Sequence, residues 1–261
     1  LYLSPGGVVM NCRFIGNYAA YGGGAALTYG GSHLFANCLF VNNQAASDNG
    51  GALWISSAQG GTAAMINCTF YGNAGSPRGG AVCTESPTTA IRNCVFASNT
   101  APSGAQIYDW SGSLTVSYSC IQGGWSGTGN ISSDPLFANP AGPDGVLGTL
   151  DDDLRLQQYS PGIDAGNNGE LPADVADLDS DGNTAEPLPL DLAGNPRRID
   201  DPTKPDTGAG TAPIVDMGGY EASSDRFFIF SANPLGVREG GSAPFSVTLA
   251  SDPGTPISVL I

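Results

Sequence analysis

A seven-residue pattern that recurs through the first half of the chain limits the possible folds more than any other feature. Residues 11–17 read N-C-R-F-I-G-N, and the pattern returns with Asn, Cys, Phe and Asn at the same positions, beginning at Asn37, Asn67 and Asn93. A degraded copy lies at Ser119–Ile121. Successive cysteines of the pattern are 26, 30, 26 and 26 residues apart. A unit of this length, built from short strands, cannot bury its apolar side alone, so neighbouring copies must stack into a solenoid.

Two solenoid architectures compete at this repeat length. A leucine-rich repeat would show the frame L-x-x-L-x-L-x-x-N, which is missing, whereas apolar residues alternate in stretches such as Ala52–Ile55. The alternation favours an all-β fold, a right-handed parallel β-helix with three short strands per coil, linked by turns where Gly and Asn take positive φ. We expect about five to seven coils within residues 1–168, stacked at the spacing of hydrogen-bonded strands, about 4.8 Å.

Each position of the repeat has a predicted place in the coil. Cys and Phe are two residues apart and therefore face the same side of a strand, which should be the interior. The first Asn of each copy should stack on its equivalents through amide hydrogen bonds, and the second Asn should close the next turn. Because the cysteines fall one per coil, we expect buried free thiols rather than a zinc site or disulfides. The predicted column consists of Cys12, Cys38, Cys68, Cys94 and Cys120.

Charge is concentrated in the second half of the chain. Of the 24 acidic and nine basic residues, only three of each precede residue 134, so most of the net charge of −15 lies after it. An acidic surface of this kind repels nucleic acid, and no run of 18 apolar residues predicts a membrane span. We therefore expect neither nucleic-acid binding nor membrane insertion.

Four ordered motifs follow the last copy of the repeat. They are N-I-S-S-D-P-L-F at 130–137, S-P-G-I-D-A-G at 160–166, D-L-A-G-N-P-R at 191–197 and V-D-M-G-G-Y-E at 215–221. With the repeats, this series resembles the bacterial choice-of-anchor Q β-helix proteins, and the repeats resemble polymorphic-outer-membrane-protein-like surface proteins. The resemblance covers residues 1–222 and implies a right-handed β-helix that is exported to the surface. We expect residues 153–166 to form the last coil and residues 169–222 an acidic, loop-rich cap.

The remaining residues, 223–261, are interpreted as a linker and the first strands of a second module. The alternating stretch Val237–Leu249 resembles the opening of a Calx-β-type immunoglobulin-like β-sandwich, which needs about 100 residues when complete. Leu1–Ser4 aligns with Leu53–Ser56, so the chain begins within a coil. We expect the unpaired edges, including Phe245–Leu249 and Ile257–Ile261, to pair with neighbouring copies or domains in a larger surface assembly or filament.

The repeat region offers few groups for catalysis. Asp48, Glu85 and Asp109 lie at unmatched coil positions, whereas glycosidases need paired carboxylates. No Lys base precedes Lys204, and the single histidine, His33, is expected in a solvated loop. We therefore predict a non-enzymatic structural or adhesive module of a secreted or cell-surface protein. The alternative is the accessory region of a carbohydrate-active enzyme with polysaccharide as its partner, since the coils distantly resemble those of β-helix polysaccharide lyases.

Calcium binding is the most specific chemical signal. Asp177–Asn183 reads D-L-D-S-D-G-N, with acids at positions 1, 3 and 5 and Gly at 6, as in an EF-hand loop. Position 12 is Leu188 rather than Glu, and no flanking helices are predicted, so the loop is not an EF-hand. Its predicted Ca²⁺ ligands are Asp177, Asp179, Asp181, Asn183 and Glu186. A second acidic turn adds Asp144, Asp151 and Asp153 as candidates, and either stretch could instead be a polar surface loop.

Overall fold

The structure, a computed structural model, consists almost entirely of strands and turns. It describes residues 1–3, 6–85, 88–110 and 112–222, without the side chains of residues 57–60, and the backbone of two short strands beyond residue 222. The only helix in these ranges is the 3-10 helix Asn168–Glu170.

Strands recur in the same order in five successive coils. The first coil contains β1 (Tyr2–Leu3), β2 (Gly7–Met10), β3 (Arg13–Ile15) and β4 (Tyr18–Ala19). The second contains β5 (Ala26–Ala36), β6 (Leu39–Val41) and β7 (Gln44–Ala45). The third contains β8 (Leu53–Ile66), β9 (Thr69–Tyr71) and β10 (Ala74–Gly75). The fourth contains β11 (Val82–Thr84), β12 (Thr88–Arg92) and β13 (Val95–Ala97). The fifth contains β14 (Ile107–Asp109), β15 (Leu114–Ser117) and β16 (Cys120–Ile121).

These strands build three parallel sheets, which confirms the predicted solenoid. The first sheet contains β1, β2, β5, β8, β11, β12, β14 and β15. The long strands β5 and β8 each pair with two shorter strands of a neighbouring coil, β5 with β1 and β2 and β8 with β11 and β12, and so unite them in one sheet. The second sheet stacks β3, β6, β9, β13 and β16, and the third stacks β4, β7 and β10. The fourth and fifth coils add no strand to the third sheet, and the solenoid amounts to about four turns, whereas the sequence predicts about five to seven coils.

Asparagine makes the corner between the first and second sheets. The first Asn of each repeat has a φ between 50° and 55°, the left-handed conformation that Asn tolerates better than most residues. Each corner therefore needs only two residues between the strands that it joins. The residues concerned are Asn11, Asn37, Asn67 and Asn93.

Phenylalanine rings from four coils stack in the interior. Phe14, Phe40, Phe70 and Phe96 have successive ring centroids 4.8, 4.7 and 4.5 Å apart, with planes within 7° of parallel. The spacing follows that of hydrogen-bonded strands, about 4.8 Å, because each coil contributes one ring. The stack confirms that this side of the second sheet faces inward.

The cysteine column is confirmed for four residues and wrong for the fifth. Cys120 pairs with Val95 and faces away from the interior, while Ser119 takes the inner position and accepts the N–H of Cys94 at 3.0 Å. The degraded last copy is therefore shifted by one residue, although its 26-residue spacing is regular. All six cysteines are free, and burial raises the pKa of Cys120 and Cys83 to about 12, which keeps both thiols protonated. The column itself contains Cys12, Cys38, Cys68 and Cys94.

A continuous amide ladder follows the corner between the second and third sheets. At each of three steps an Asn side chain donates from Nδ2 to the Oδ1 of its equivalent in the next coil, always at 2.8 Å. The same Oδ1 accepts the backbone N–H of the preceding Asn, at 2.9 to 3.1 Å. The ladder continues from Asn99 to Gln106 at 2.7 Å. Its members are the second Asn of each repeat, Asn17, Asn43, Asn73 and Asn99.

The ladder predicted for the first Asn of each repeat is interrupted. Asn37 donates to Asn11 Oδ1 at 2.8 Å and Asn93 to Asn67 Oδ1 at 3.3 Å, but no hydrogen bond joins Asn37 to Asn67 within this described stretch. Asn67 Nδ2 instead donates to the carbonyl of Asp216 at 3.1 Å. These amides are therefore divided between neighbouring coils and a later segment of the chain.

His33 does not lie in a solvated loop. It belongs to β5, its side chain is buried, and its Nε2 is hydrogen-bonded to the carbonyl of Gly30. The sequence-based expectation was wrong because β5 is one continuous strand from Ala26 to Ala36, and its neighbour β8 is continuous at the same position.

Parallel stacking ends after the fifth coil. Ile131 makes a last parallel bridge to Cys120, and Trp125 packs against the interior core at this end. The last coil expected over residues 153–166 does not form. Instead β17 (Phe137–Asn139) and β18 (Asp153–Leu156) pair in an antiparallel hairpin.

Residues 157–222, here called the cover segment, lie along the outer face of the second sheet rather than over the end of the coils. Side chains of both partners form a second apolar core there. From the sheet it contains Leu39, Val41, Val95 and Ala97, and from the cover segment Ile163, Leu192, Met217 and Tyr220. The alternating residues of the second sheet are therefore apolar on both faces, as expected for a sheet that is covered on both sides.

Beyond the cover segment, β19 (Phe228–Phe230) and β20 (Val247–Leu249) pair in an antiparallel arrangement. Val247–Leu249 therefore has a partner within this chain, contrary to the expectation of an unpaired edge. Ile257–Ile261 and most of the stretch that resembles a Calx-β module lie outside the described residues.

Candidate metal site

The predicted calcium loop is closed at its base by backbone hydrogen bonds. The N–H of Asp174 donates to the carbonyl of Glu186 at 2.9 Å, and the N–H of Leu188 donates to that of Pro172 at 2.8 Å. These bonds bring the two ends of the loop together, so that acids far apart along it can share one site. No basic residue lies between Arg155 and Arg197, and the loop's carboxylates therefore have no neighbouring cation in sequence.

The structure brings together three of the predicted ligands. Asp177, Asp179 and Asp181 each offer a carboxylate oxygen, and the three oxygens lie within 4.8 Å of one another. Local N–H groups orient them: Gly182 donates to Asp177 at 3.0 Å, and Asn183 donates to Asp181 at 2.7 Å. Gly182 has a φ of 85°, which a residue with a side chain would adopt only with strain.

A second group of carboxylates shares Asp179 and lies deeper. Asp174, Asp179 and Glu186 also place one oxygen each within 4.8 Å of one another. Asp174 is fully buried; its Oδ2 accepts the N–H of Leu178 at 2.7 Å, while its Oδ1 has no hydrogen-bond partner. Oε1 of Glu186 also lacks a partner. Burial raises the pKa of Glu186, and nearby Asp181 and Asp179 raise it further.

Asp174 is the ligand candidate that sequence reasoning missed. It lies three residues before the first position of the D-x-D-x-D-G pattern, and only the closure of the loop brings it beside Glu186. Asn183, a predicted ligand, instead has a supporting contact: its Nδ2 donates to Oε2 of Glu186 at 3.3 Å, and its Oδ1 accepts the N–H of Ala185.

The second acidic turn is not assembled in the same way. Asp151 accepts the N–H of Asp144 at 3.3 Å, but Asp153 forms a salt bridge with Arg155 at 2.5 Å. Within the described ranges, no group of three carboxylates at ligand distance includes Asp144, Asp151 or Asp153. Their oxygens organise the hairpin loop instead: Asp152, between them, accepts the N–H of Gly148 at 2.7 Å.

Acidic residues of the last three sequence motifs meet inside the cover segment. Both carboxylate oxygens of Asp216 accept backbone N–H groups, from Asp164 at 2.8 Å and from Ala222 at 2.7 Å. Asp191 accepts the N–H of Glu221 at 2.9 Å. Burial raises the pKa of Asp216 to about 7 and that of Glu221 well above its usual range. The motifs therefore encode a buried polar network that connects distant parts of the segment.

Arg197 is the single basic residue in this network. It is almost fully buried; its Nη2 donates to the carbonyl of Gly218, and its Nη1 lies 3.8 Å from Oε2 of Glu221. Gly218 in turn donates its N–H to the carbonyl of Asn93 in the fourth coil at 2.7 Å. Through its hydrogen bond to Gly218, Arg197 therefore holds the turn that joins the cover segment to the solenoid.

The coil architecture is also supported by comparison with known proteins. Residues 1–135 match the family model described as a right handed beta helix region. The chain belongs to the right-handed β-helix family. Comparison with curated proteins and with solved structures gives no match. The match ends close to the last parallel bridge of this right-handed β-helix, so the hairpin and the cover segment lie beyond it. Among the described residues, no helix has the length and hydropathy to cross a bilayer.

Proposed function

We propose that the chain is a non-enzymatic structural or adhesive module of a secreted or cell-surface protein, in which bound Ca²⁺ stabilises the segment that covers one face of the β-helix. The observation that supports this most directly is the closed loop at 174–186, where five acidic residues converge without a basic partner among the described residues. Modules that work outside the cell can use calcium for stability, because sites with dissociation constants of about 10⁻⁴ to 10⁻³ M are sufficient there.

The acids of the coils support a structural role. Asp48 accepts the N–H groups of Gly22 at 3.1 Å and of Asn49 at 2.9 Å, so it organises a turn between adjacent coils. Glu85 accepts the indole N–H of Trp54 at 3.1 Å. Asp109 accepts the N–H of Gly112 at 2.9 Å. Each carboxylate therefore has local hydrogen bonds that maintain the coil.

Calcium should raise the melting temperature of the full chain. At a free concentration one hundred times the dissociation constant, one ion would contribute about 2.7 kcal/mol, which corresponds to a shift of about 5–10 °C for a domain of this size. Asp179→Asn removes the carboxylate shared by both groups of the loop and should reduce the shift by at least half. The measurement is differential scanning calorimetry with Ca²⁺ and with EDTA.

The matched control for this experiment is Asp144→Asn, in the acidic turn that does not converge. This variant should melt with the same calcium response as the unmodified chain. A melting temperature that is unchanged between Ca²⁺ and EDTA would mean that the loop is merely polar.

A second candidate function, polysaccharide binding or processing, is favoured by an aromatic patch on the first sheet. Trp110 is 51% exposed, and Cζ of Arg78 lies 4.2 Å from its ring centroid and 5.3 Å from that of Tyr108. Trp54, Cys83 and Tyr108 are partners in adjacent strands, and Glu85 accepts the indole N–H of Trp54, so Glu85 lies on the same face of the sheet as Tyr108. An exposed aromatic ring beside a carboxylate offers a sugar both an apolar surface and a hydrogen-bond acceptor. This patch on the first sheet therefore supports the second candidate function.

Assays of the purified chain with pectin, alginate and chondroitin distinguish the two functions. We expect neither hydrolysis nor elimination, because the coil acids have structural hydrogen bonds and no Lys base lies in the coils. Turnover that disappears in Asp48→Asn or Asp109→Asn would replace the structural role by the enzymatic one. Binding without turnover that is lost in Trp110→Ala would assign the patch to adhesion.

A further inference from the structure

A third group of carboxylates lies apart from the loop at 174–186. Asp164, Asp200 and Asp206 each place one oxygen within 4.8 Å of the others. Asp164 belongs to the motif at 160–166, whereas Asp200 and Asp206 lie on the turn that follows the motif at 191–197. The two outer residues are exposed, and Asp164 is fully buried beneath them.

The buried member of this group has an unpaired oxygen. Oδ2 of Asp164 accepts the N–H of Asp201 at 3.2 Å, but Oδ1 has no hydrogen-bond partner although it is inaccessible to water. An unsatisfied buried carboxylate oxygen is costly in either protonation state, because the acid would also need an acceptor for its proton. A cation bound at Oδ1 would remove that cost.

Basic side chains do not compensate these carboxylates within the described part of the chain. The salt bridges there involve Glu170, Asp153 and Glu221, and none involves Asp164, Asp200 or Asp206. Lys204, which lies on the same turn, places its ammonium group 5.5 Å from the ring centroid of Tyr159 instead. Three like charges at this separation would repel one another unless a cation or a proton intervenes.

The surrounding backbone fixes the turn around Asp164. The carbonyl of Asp164 accepts the N–H groups of Thr207 and Gly208, both at 3.0 Å. Oδ1 of Asp201 accepts the N–H of Thr203 at 2.9 Å and its hydroxyl at 2.7 Å. These bonds keep the exposed acids beside the buried one.

We propose that Asp164, Asp200 and Asp206 form a second calcium site, distinct from the loop at 174–186. All three donors are carboxylate oxygens, the ligands that hard cations prefer. The oxygens lie within 4.8 Å of one another, which is the separation of two ligands on opposite sides of one Ca²⁺ at a Ca–O distance of about 2.4 Å. The ion would join Asp164 to a turn that begins more than 30 residues later in the chain, and so stabilise the cover segment.

Isothermal titration of the full chain with Ca²⁺ tests this site separately from the loop. The unmodified chain should bind at both places, and Asp200→Asn/Asp206→Asn should remove one ion per chain while the response that depends on Asp179 is retained. Asp206→Asn alone, a change at an exposed side chain, should weaken the same binding event by about tenfold or more. Asp134→Asn, an exposed acid outside every group, is the matched control and should bind as the unmodified chain does.

The result that overturns this proposal is an unchanged stoichiometry and affinity in Asp200→Asn/Asp206→Asn. If the chain binds a single ion, the variant that abolishes binding decides between the sites: loss in the double variant supports this site, and loss only in Asp179→Asn refutes it. If no Ca²⁺ binds at millimolar concentration, both sites are refuted.

Discussion

Replacing Asn73 by alanine is expected to lower the free energy of unfolding by about 3–5 kcal/mol, since several buried hydrogen-bonding groups lose their partner at once and each costs about 1–3 kcal/mol. Asn73 Oδ1 accepts both the N–H and the Nδ2 of Asn43, at 2.9 and 2.8 Å. Its Nδ2 donates to the carbonyl of Phe40 at 2.9 Å and to Oδ1 of Asn99 at 2.8 Å. The corner is buried, so water cannot replace these contacts without opening the coils.

Urea denaturation monitored by circular dichroism measures this loss. The matched control is Asn139→Ala, at an exposed position of the hairpin, which should change stability by less than about 0.5 kcal/mol. Asn17→Ala, at the exposed end of the ladder, should fall between the two. If Asn73→Ala is as mild as Asn139→Ala, the ladder does not stabilise the solenoid.

The coil repeat could be predicted from the sequence because stacking imposes the same environment on each copy. Phe14 and Phe40 share an inner position for the same steric reason, and so their spacing alone placed them. Cys120 was placed wrongly because the last copy has lost the Asn that makes the corner, and spacing cannot detect a one-residue shift when that marker is missing. A shift of one residue moves a side chain to the opposite face.

The contacts of the cover segment could not be predicted in this way, because each occurs once. Asn67 was expected to bond to its neighbours in the stack, but its amide donates to Asp216, 149 residues later in the chain. Asp174 and Asp164 have no regular spacing from the acids that they join. The motif at 177–183 did indicate that Asp177, Asp179 and Asp181 lie together, since these acids are close in sequence and need only a local turn.

Replacing Arg197 by methionine is expected to destabilise the cover segment by about 3–5 kcal/mol, the usual cost of removing one partner from a buried ion pair. Methionine fills much of the arginine's volume, but the carboxylate of Glu221 would remain buried without the charge that lies 3.8 Å from it. The carbonyl of Gly218 would also lose its donor. Limited proteolysis and hydrogen exchange should show faster opening of residues 157–222 than of the coils. The contacts of Arg197 lie within the cover segment, whereas the coils are held together by strand pairing and the amide ladder.

The pH dependence and the double variant identify the charge as the cause. The pKa of Glu221 is raised by burial, so its ionisation favours the unfolded chain, and stability is lost as the pH rises from about 4.3, the pKa of an unperturbed Glu. Arg197 lowers that pKa, and without it the loss should extend to higher pH. Arg197→Met should therefore cost more at pH 8 than at pH 5, and Arg197→Met/Glu221→Gln, which removes both charges, should recover most of the stability. A loss that is equal at both pH values and persists in the double variant would attribute the effect to packing alone.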